Sequence, residues 1–299
     1  MTFAVGDTSE TFTVLGTKDA CNSEGQESVN LTLTNAIGAS VGSQGTATSS
    51  IVDDASVLAN SQPIDDASTF VCQHYHDFLA READAGGAAY WTERITECGT
   101  NQACIRARRL DVSNAFYFEQ EFQLTGSYVF RLYRAAYGDN QPLPNSDPNL
   151  TEAKKLPGYL TFMRDRAQVV GDSNLAASQQ NVANFFVQRP EFVTKYPLNL
   201  TTGAQFTSAV LATIQSASGV DLSSQSATLI NHFNTGGRGL VMFHLANDYW
   251  NGCNRLPGSP AAPCVPAGFG AAVDNRPFLD AEHSRTFVFT EYVGYLRRD

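Results

Sequence analysis

The fold of this chain is decided by a twelve-residue phrase that occurs twice. The first copy is FVCQHYHDFLAR at residues 70–81, and the second is FVFTEYVGYLRR at residues 287–298. Five positions are identical, one pairs Phe with Tyr, and the apolar residues recur at helical spacing. A weaker echo is VFRLYR at residues 129–134. A phrase that returns in this way predicts a helical repeat region.

A second phrase recurs at the end of each unit. NAFYFEQEF at residues 114–122 matches NFFVQRPEF at residues 184–192 in its Asn, in two Phe and in a Glu. Two separate matched phrases indicate an internal repeat rather than a chance similarity.

The limits of the first helices follow from local signals. Asp66 or Ser68 is a suitable N-cap for a helix that carries the first phrase. The glycines at residues 86–87 are expected to end that helix in left-handed geometry, and Ala88 is expected to open the next one. A third helix is predicted from Ala103 to Phe122.

The first 54 residues have a different pattern, with short alternating segments rich in Thr and Val and separated by Gly-rich links. They predict strands at residues 10–15, 28–33 and 45–52. Three or four strands are too few to close a β-sandwich, so one apolar face is expected to be uncovered. The fold class predicted is α+β multidomain, with a small partial antiparallel β-sandwich segment followed by a larger all-α helical repeat region.

Charge and hydropathy exclude several classes of protein. The 30 acidic and 20 basic side chains give a formal net charge of −10, which argues against a general nucleic-acid binder. No apolar run approaches the roughly 20 residues that a membrane span requires. The first residues, MTFAVGDTSE, lack the features of a signal peptide.

The six cysteines include two local pairs, Cys98 with Cys104 and Cys253 with Cys264. Zinc is the rival interpretation, but the chain has no C-x-x-C and no His at ligand spacing beside either pair. Disulfides are therefore expected, and with them an extracellular or cell-surface location. Since no signal peptide is present, the simplest expectation is a piece of a longer secreted precursor.

The β segment resembles the second half of a Calx-beta domain. The resemblance rests on FAVGDTSETFTV at residues 3–14 and on EGQESVNLTLTNAIGASVGSQGTATSSIVDD at residues 24–54. Some members of that family bind calcium through carboxylates near one end of a β-sandwich. Carried over by position, the resemblance implies Glu24, Glu27, Asp53 and Asp54 as calcium ligands. The alternative is that Asp53 and Asp54 end the last strand in a solvated linker.

The helical region resembles the bacterial DUF-four-two-one-four family, which is related to phycobilisome linker domains. The matching positions of the first copy are Tyr75, Phe78, Leu79, Arg81, Asp84, Gly87, Tyr90 and Trp91, and those of the last copy are Tyr292, Tyr295, Leu296 and Arg298. The resemblance implies an all-helical repeat unit with a role in assembly or attachment, and it brings no catalytic residue. The family pattern does not require Cys21 or Cys72, so these two are expected to pair with each other.

Together these signals divide the chain. The predicted parts are a β segment at 1–54, a linker at 55–67, helical units at 68–124, 125–195 and 196–299, and, in the last unit, a Pro-, Gly- and Ala-rich insertion at 251–280 held by Cys253 and Cys264. The last phrase stops at Asp299, inside a repeat, so the unit at 196–299 is expected to end with the first helix of a further repeat.

The residues that suggest chemistry have simpler structural explanations. His74 and His76 stand two apart on a helix and point to different sides, so they do not chelate a metal together. The Gly-rich stretch at residues 235–239 is expected to be a helix–helix turn rather than a phosphate-binding loop. Arg81 and Asp84 are expected to form an ion pair at a helix end. The aromatic residues expected in the core are Tyr75, Tyr90, Trp91, Phe116, Phe118 and Phe122.

The function expected is that of a non-enzymatic extracellular or cell-surface structural protein, without a required cofactor but with calcium as a candidate ligand. Its expected partners are further copies of itself or other surface proteins, with no nucleic acid and no membrane span. Head-to-tail copies that complete each other's β-sheet would give a filament. The alternative is an adhesive or carbohydrate-binding accessory module of a larger secreted protein.

Overall fold

The structure is a computed structural model, and it describes residues 27–33, 38, 45–51, 63–141, 156–169, 171, 174–250 and 263–292. Most of these residues are helical, and the sheet among them is small. The chain divides into two compact units, one of residues 1–73 and 82–105 and the other of residues 74–81 and 106–299.

The sheet of the first unit is a two-stranded antiparallel ribbon within the described residues. Strand β1 (Glu27–Thr32) pairs with β2 (Thr46–Ile51), from Glu27 opposite Ile51 to Thr32 opposite Thr46. The two later predicted strands are therefore confirmed, and the strand predicted at residues 10–15 lies outside the described residues. A β-sandwich around this ribbon stays a prediction.

The first helix begins where its N-cap signal predicts. Helix α1 (Ala67–His74) follows Asp66, whose carboxylate accepts the backbone N–H of Thr69 at 2.8 Å. Of the two N-caps proposed, Asp66 is therefore the one used. A wider, π-type turn at Tyr75–Leu79 continues the helix, which ends at Ala80 with φ 45° and ψ 38°.

The prediction that the glycines at residues 86–87 end this helix is wrong. They lie in the first turn of α2 (Ala85–Thr96), where the Asp84 carboxylate accepts the backbone N–H of Gly87 at 2.8 Å. An N-cap carboxylate satisfies a free N–H of the first turn, and so it starts a helix at this point despite the two glycines. The left-handed position that ends the preceding helix belongs to Ala80 instead.

The remaining helices include one that is buried along its whole length. They are α3 (Gln102–Phe118), α4 (Gln120–Leu124), α5 (Gly126–Tyr137), α6 (Tyr159–Arg166), α7 (Leu175–Phe186), α8 (Pro190–Lys195), α9 (Gly203–Ser218), α10 (Ser226–Ala246) and α11 (Arg276–Glu291). Every residue of α5 is buried. Helices α4, α6, α9, α10 and α11 all pack against it, which makes α5 the centre of the second unit.

Two boundaries differ from the sequence prediction, and one expected break is present. Helix α3 stops at Phe118 and does not reach Phe122, because Glu119 is extended (φ −61°, ψ 139°) and begins the short helix α4. The break between helices expected at residues 235–239 is found at Gly237, whose non-helical backbone (φ 70°, ψ −164°) separates the two helical stretches of α10. Helix α11 begins at Arg276, inside the predicted insertion, with a proline in its first turn, where a missing N–H is tolerated.

None of the helices in the described part of the chain combines the length and the apolar character that a membrane span requires.

Candidate functional site

The three copies of the repeated phrase differ in how deeply their side chains are buried. The valine of the phrase is fully buried in the first two copies, as Val71 and Val129, but Val288 of the last copy is 51% exposed. The tyrosine four residues later follows the same division. It is 4% exposed as Tyr75 and 1% exposed as Tyr133, but 48% exposed as Tyr292 of the last copy. The last copy therefore exposes two apolar side chains whose counterparts in the first two copies are buried.

One kind of contact covers the tyrosine in both buried copies. Phe116 packs edge-on against Tyr75, with ring centroids 4.9 Å apart. Phe186 packs edge-on against Tyr133, also at 4.9 Å. Phe116 and Phe186 occupy the same position of the second repeated phrase, so the two phrases of a unit meet in its core. Edge-to-face packing at this distance is a favourable aromatic geometry.

Val288 and Tyr292 form what we call the open face of α11. They stand four residues apart, so they lie on the same side of the helix. Phe289 between them points inward, where its ring lies 5.0 Å from that of Phe130 and 4.7 Å from that of Phe162. The helix is thus anchored on one side and exposes apolar surface on the other.

Helix α3 carries a second exposed apolar pair. Leu110 is 65% exposed and Phe118 is 61% exposed, and they stand eight residues apart on the same side of α3. We call this pair the α3 stripe. The expectation that Phe118 belongs to the core is therefore wrong. Its neighbours Phe116 and Tyr117 fill the core positions, which turns Phe118 outward.

A buried ion pair holds α11 against α5. Arg134 Nε donates to Glu282 Oε2 at 2.7 Å, and both side chains are fully buried. Arg134 Nη1 also donates to Asp139 Oδ1 at 2.7 Å. Burial alone would lower the pKa of Arg134, but the bonds to the carboxylates of Glu282 and Asp139 raise it, so the guanidinium stays charged. The ion pair fixes the helix that carries the open face.

A second buried network ties α5 to the residues around α8. The Asp165 carboxylate accepts the hydroxyl of Tyr133 at 2.6 Å and both Nη groups of Arg189 at 2.7 Å. Burial and the nearby Asp165 charge raise the pKa of Tyr133, so its hydroxyl stays protonated and donates. The sequence gives no signal for the long-range bonds of these networks, because their partners are 24 to 148 residues apart.

The motif residues of the first copy have structural roles. Arg81 Nε donates to Glu121 Oε1 at 2.7 Å, and its guanidinium lies 5.0 Å from the centre of the Tyr75 ring. Phe78 is buried and Leu79 is half-buried. Tyr90 is 49% exposed, so its predicted place in the core is wrong, and it packs beside Trp91 and Arg94 on the surface of α2. Tyr295, Leu296 and Arg298 of the last copy lie outside the described residues.

The candidate metal ligands are only partly described. Glu27 begins β1, while Glu24, Asp53 and Asp54 lie outside the described residues. Within the described residues, no group of three or more His, Cys, Asp or Glu side chains is placed to hold a metal ion. His74 is buried and hydrogen-bonded to Ser113 Oγ at 2.8 Å, and this bond accounts for a buried histidine without a metal ion. Calcium binding stays a prediction.

The cysteines that are described are all in disulfides. Cys98, which follows α2, is bonded to Cys104 in the first turn of α3, with their Cα atoms 5.6 Å apart. Cys72 and Cys264 are also disulfide-bonded. Cys21 and Cys253, the partners predicted for them, lie outside the described residues.

A cavity of about 390 Å³ opens beside the start of α11. Its lining combines carboxylate, guanidinium, imidazole, amide and aromatic side chains, among them Phe118, Gln123, Arg131, Asp248, Asp280 and His283. Arg131 is fixed in the wall, because its Nε donates to Ala246 O at 2.8 Å and its Nη2 to Gln123 O at 3.0 Å. This arrangement offers both donors and acceptors to a polar ligand.

Comparison of the chain with protein-family models, with curated proteins and with solved structures gives no match. The two family resemblances therefore stay predictions.

Proposed function

We propose that this protein is a non-enzymatic structural or assembly protein of the cell surface or the extracellular space, and that it acts through protein–protein contacts. The observation that carries the proposal is the open face of α11, whose two side chains are covered at the matching positions of the other two copies. An exposed apolar pair on a rigidly held helix is typical of a contact surface.

The proposed partner is a second copy of this chain. Within one copy, the matching tyrosines are covered by phenylalanines of the second phrase, at the ends of α3 and α7. Phe118 belongs to that same phrase, and with Leu110 it forms the exposed α3 stripe. A neighbouring copy therefore offers a helix of the kind that already covers this tyrosine twice, and two of its apolar side chains are more than half exposed.

The contact joins two different surfaces, the open face of one copy and the α3 stripe of the next. In a pair of copies joined by such a heterologous contact, one open face and one α3 stripe remain free. Further copies can add at both of these surfaces, which gives a ring or an open filament. A head-to-tail filament is therefore the expected assembly. Completion of the β-sheet by a neighbouring copy stays a separate prediction.

The test is light scattering coupled to size-exclusion chromatography over a wide range of protein concentration. We expect the mass of the wild-type chain to rise with concentration. Val288→Asp should remove that rise, because it places a charge in an apolar contact. Leu198→Asp is the matched control, since Leu198 is 70% exposed but belongs to neither surface. A wild-type chain that stays monomeric at every concentration overturns the proposal.

Mixing two defective variants tests the head-to-tail geometry. Val288→Asp keeps the α3 stripe, and a Leu110→Asp, Phe118→Asp variant keeps the open face. Each should be monomeric alone, and the mixture should form a dimer that does not grow further. If the Leu110→Asp, Phe118→Asp variant still assembles alone, the α3 stripe is not the partner surface.

An adhesive or carbohydrate-binding module is the second candidate function, and the cavity beside α11 favours it. Sugar hydroxyls both donate and accept, so they match a lining that combines Asp248 and Asp280 with Arg131 and Gln123. Phe118 at the cavity offers an apolar ring to the C–H face of a sugar. Retention on insoluble polysaccharides, lost in Asp248→Asn with the fold intact, is the expected result. Equal retention of the wild-type chain and this variant would exclude the cavity.

A further inference from the structure

Two buried histidines of α10 stack on each other beneath the segment that leads into α11. The rings of His232 and His244 lie 3.8 Å apart between centroids and 8° from parallel, and both side chains are almost fully buried. His232 Nε2 is 2.8 Å from Ala271 O, and His244 Nε2 is 2.7 Å from Phe269 O. A carbonyl oxygen only accepts, so both rings carry their proton on Nε2 and both are neutral when Nδ1 is unprotonated.

The segment that they hold, residues 264–275, is called the strap. At its start, the backbone N–H of Cys264 donates to Tyr249 O at 2.9 Å, and Cys264 is disulfide-bonded. At its end, Asn275 Nδ2 donates to carbonyl oxygens at the C-terminus of α10, including Leu245 O at 2.9 Å and Asn247 O at 2.8 Å. The strap is therefore tethered at both ends, with the two histidines under its middle.

The backbone in the middle of the strap lies directly against the histidine rings. Gly270 lies between the two bonded carbonyls with φ +86°, and a Cβ there would lie 2.9 Å from His232 Cε1. Tyr249 adds a third hold, because its hydroxyl donates to Val273 O at 2.8 Å and accepts the Val273 N–H at 2.6 Å. Trp250 Nε1 donates to the same carbonyl at 3.2 Å.

We propose that the strap is an acid-sensitive latch, held closed by the neutral histidine pair and released when the pair becomes protonated. Two positive charges on stacked rings 3.8 Å apart repel each other strongly in a buried site. Opening of the strap lets water reach both rings and separates the charges. The tethered ends make the opening reversible, and they confine it to the strap.

The charged groups on the packed elements do not offset this repulsion. Helix α10 has no acidic residue, and α7 and α9, which pack against it, have no titratable side chain. The arginines of α5 bond to acceptors of their own. Asp274 is the acidic residue of the strap, and it pairs with Arg276 at 2.5 Å. Tyr249 faces His244 Nδ1 at 3.4 Å as a neutral hydroxyl.

The direction of the pH effect follows from burial. Burial, and then the neighbouring His232, lower the pKa of His244 to about 4 from its ordinary 6.5, and burial also lowers the pKa of His232. A histidine whose pKa is lowered by folding stabilises the closed form fully above pH 6.5, and that stabilisation is lost progressively as the pH falls from 6.5 to the folded value. For His244 alone, the opening equilibrium should rise on the order of 100-fold between pH 7 and pH 4, because each pH unit between the two values contributes tenfold.

Trp250 reports on the strap directly. In a Trp91→Phe background Trp250 is the single tryptophan of the chain, and it is buried and bonded to the strap. Its fluorescence should change reversibly between pH 6 and pH 4 while the helical circular dichroism is kept. Hydrogen exchange of the strap, corrected for the intrinsic rate at each pH, should rise by the factor given above.

Variants separate the histidine pair from other acid effects. His232→Gln, His244→Gln keeps a side-chain N–H near each carbonyl but removes the titration, so the transition should disappear. His283→Gln is the control, because His283 is exposed and contacts neither ring of the pair. An unchanged transition in the double variant overturns the proposal. If that variant fails to fold, the His Hε1 signals of the wild-type chain decide, and titration of both at or above pH 6.5 refutes the latch.

Discussion

The first and last copies of the repeated phrase have the same residues at their key positions and opposite surroundings. Val71 and Tyr75 are buried, while Val288 and Tyr292 are half exposed. The difference lies in what covers them, since Phe116 of the second phrase reaches Tyr75 and no described phenylalanine does the same for Tyr292. Apolar periodicity therefore identifies the apolar side of a helix, but it does not show whether another part of the structure covers that side.

The largest effect should come from removing a covered tyrosine. Tyr75→Ala should lower the free energy of unfolding by about 3–5 kcal/mol, because it leaves a cavity beside Phe116 in the core. The measurement is denaturant unfolding followed by circular dichroism, with the slope m unchanged. A loss below about 1 kcal/mol would mean that Tyr75 is no better packed than a surface residue, and it would remove the contrast between the copies.

The sequence predicts well what depends on neighbours along the chain. The helical period identifies α1, and the Asp66 side chain caps it as proposed. The alternating segments become β1 and β2 within about one residue at each end. These features follow from local hydrogen bonds and from the side-chain period, which the residue order alone determines.

The helix break at Glu119 has a signal in the sequence, but that signal lies in the second phrase. Its counterpart in the second phrase, Arg189, precedes Pro190, and a residue before proline is restricted to extended backbone. Arg189 is accordingly extended (φ −63°, ψ 143°), and Glu119 has the same conformation without a proline. When the two phrases are aligned, the proline of the second phrase predicts a helix break at Glu119 in the first phrase.

The buried ion pairs and the open face lay beyond sequence reasoning. Arg134 and Glu282 are 148 residues apart, and either one read alone is an ordinary charged residue of a helix. The open face is defined by exposure, and Val288 and Tyr292 repeat the residues that are buried elsewhere. Only the assembled helices decide which copy is covered.

The tyrosine of the middle copy differs from the other two, because it is both covered by an aromatic ring and hydrogen-bonded through its hydroxyl. Tyr133→Phe removes the hydroxyl that lies 2.6 Å from Asp165 and 2.9 Å from Arg189, but it keeps the ring on Phe186. The free energy of unfolding should fall by about 1–3 kcal/mol, as expected when a buried charged acceptor loses one donor. Tyr292→Phe, measured by the same denaturant titration, is the exposed control and should leave stability unchanged. Equal losses in the two variants would contradict this account.

The helix ends of the first two copies offer a smaller contrast. Ala80 is left-handed with φ 45°, and Gly138 occupies the matching position with φ 60°. Ala80→Gly should raise the free energy of unfolding by about 0.5–1 kcal/mol, because relief of left-handed strain exceeds the entropy that glycine loses. Gly138→Ala should act in the opposite direction, since its Cβ would lie 2.7 Å from that of Ala217. Thermal unfolding of both variants tests the pair, and a destabilising Ala80→Gly would show that the first helix end is not strained.

The smallest effect on the isolated chain should come from Tyr292→Ala. At low concentration, where copies are apart, the half-exposed ring contributes little, and the change in the free energy of unfolding should stay within about 0.5 kcal/mol. At high concentration the open face is covered in the proposed assembly, and binding of a partner to the folded state raises the wild-type melting temperature. Tyr292→Ala should lose most of that concentration dependence, while Tyr75→Ala should lose stability equally at both concentrations. If Tyr292→Ala is destabilised at low concentration as strongly as Tyr75→Ala, then the last copy is covered within its own chain, and the two copies do not differ.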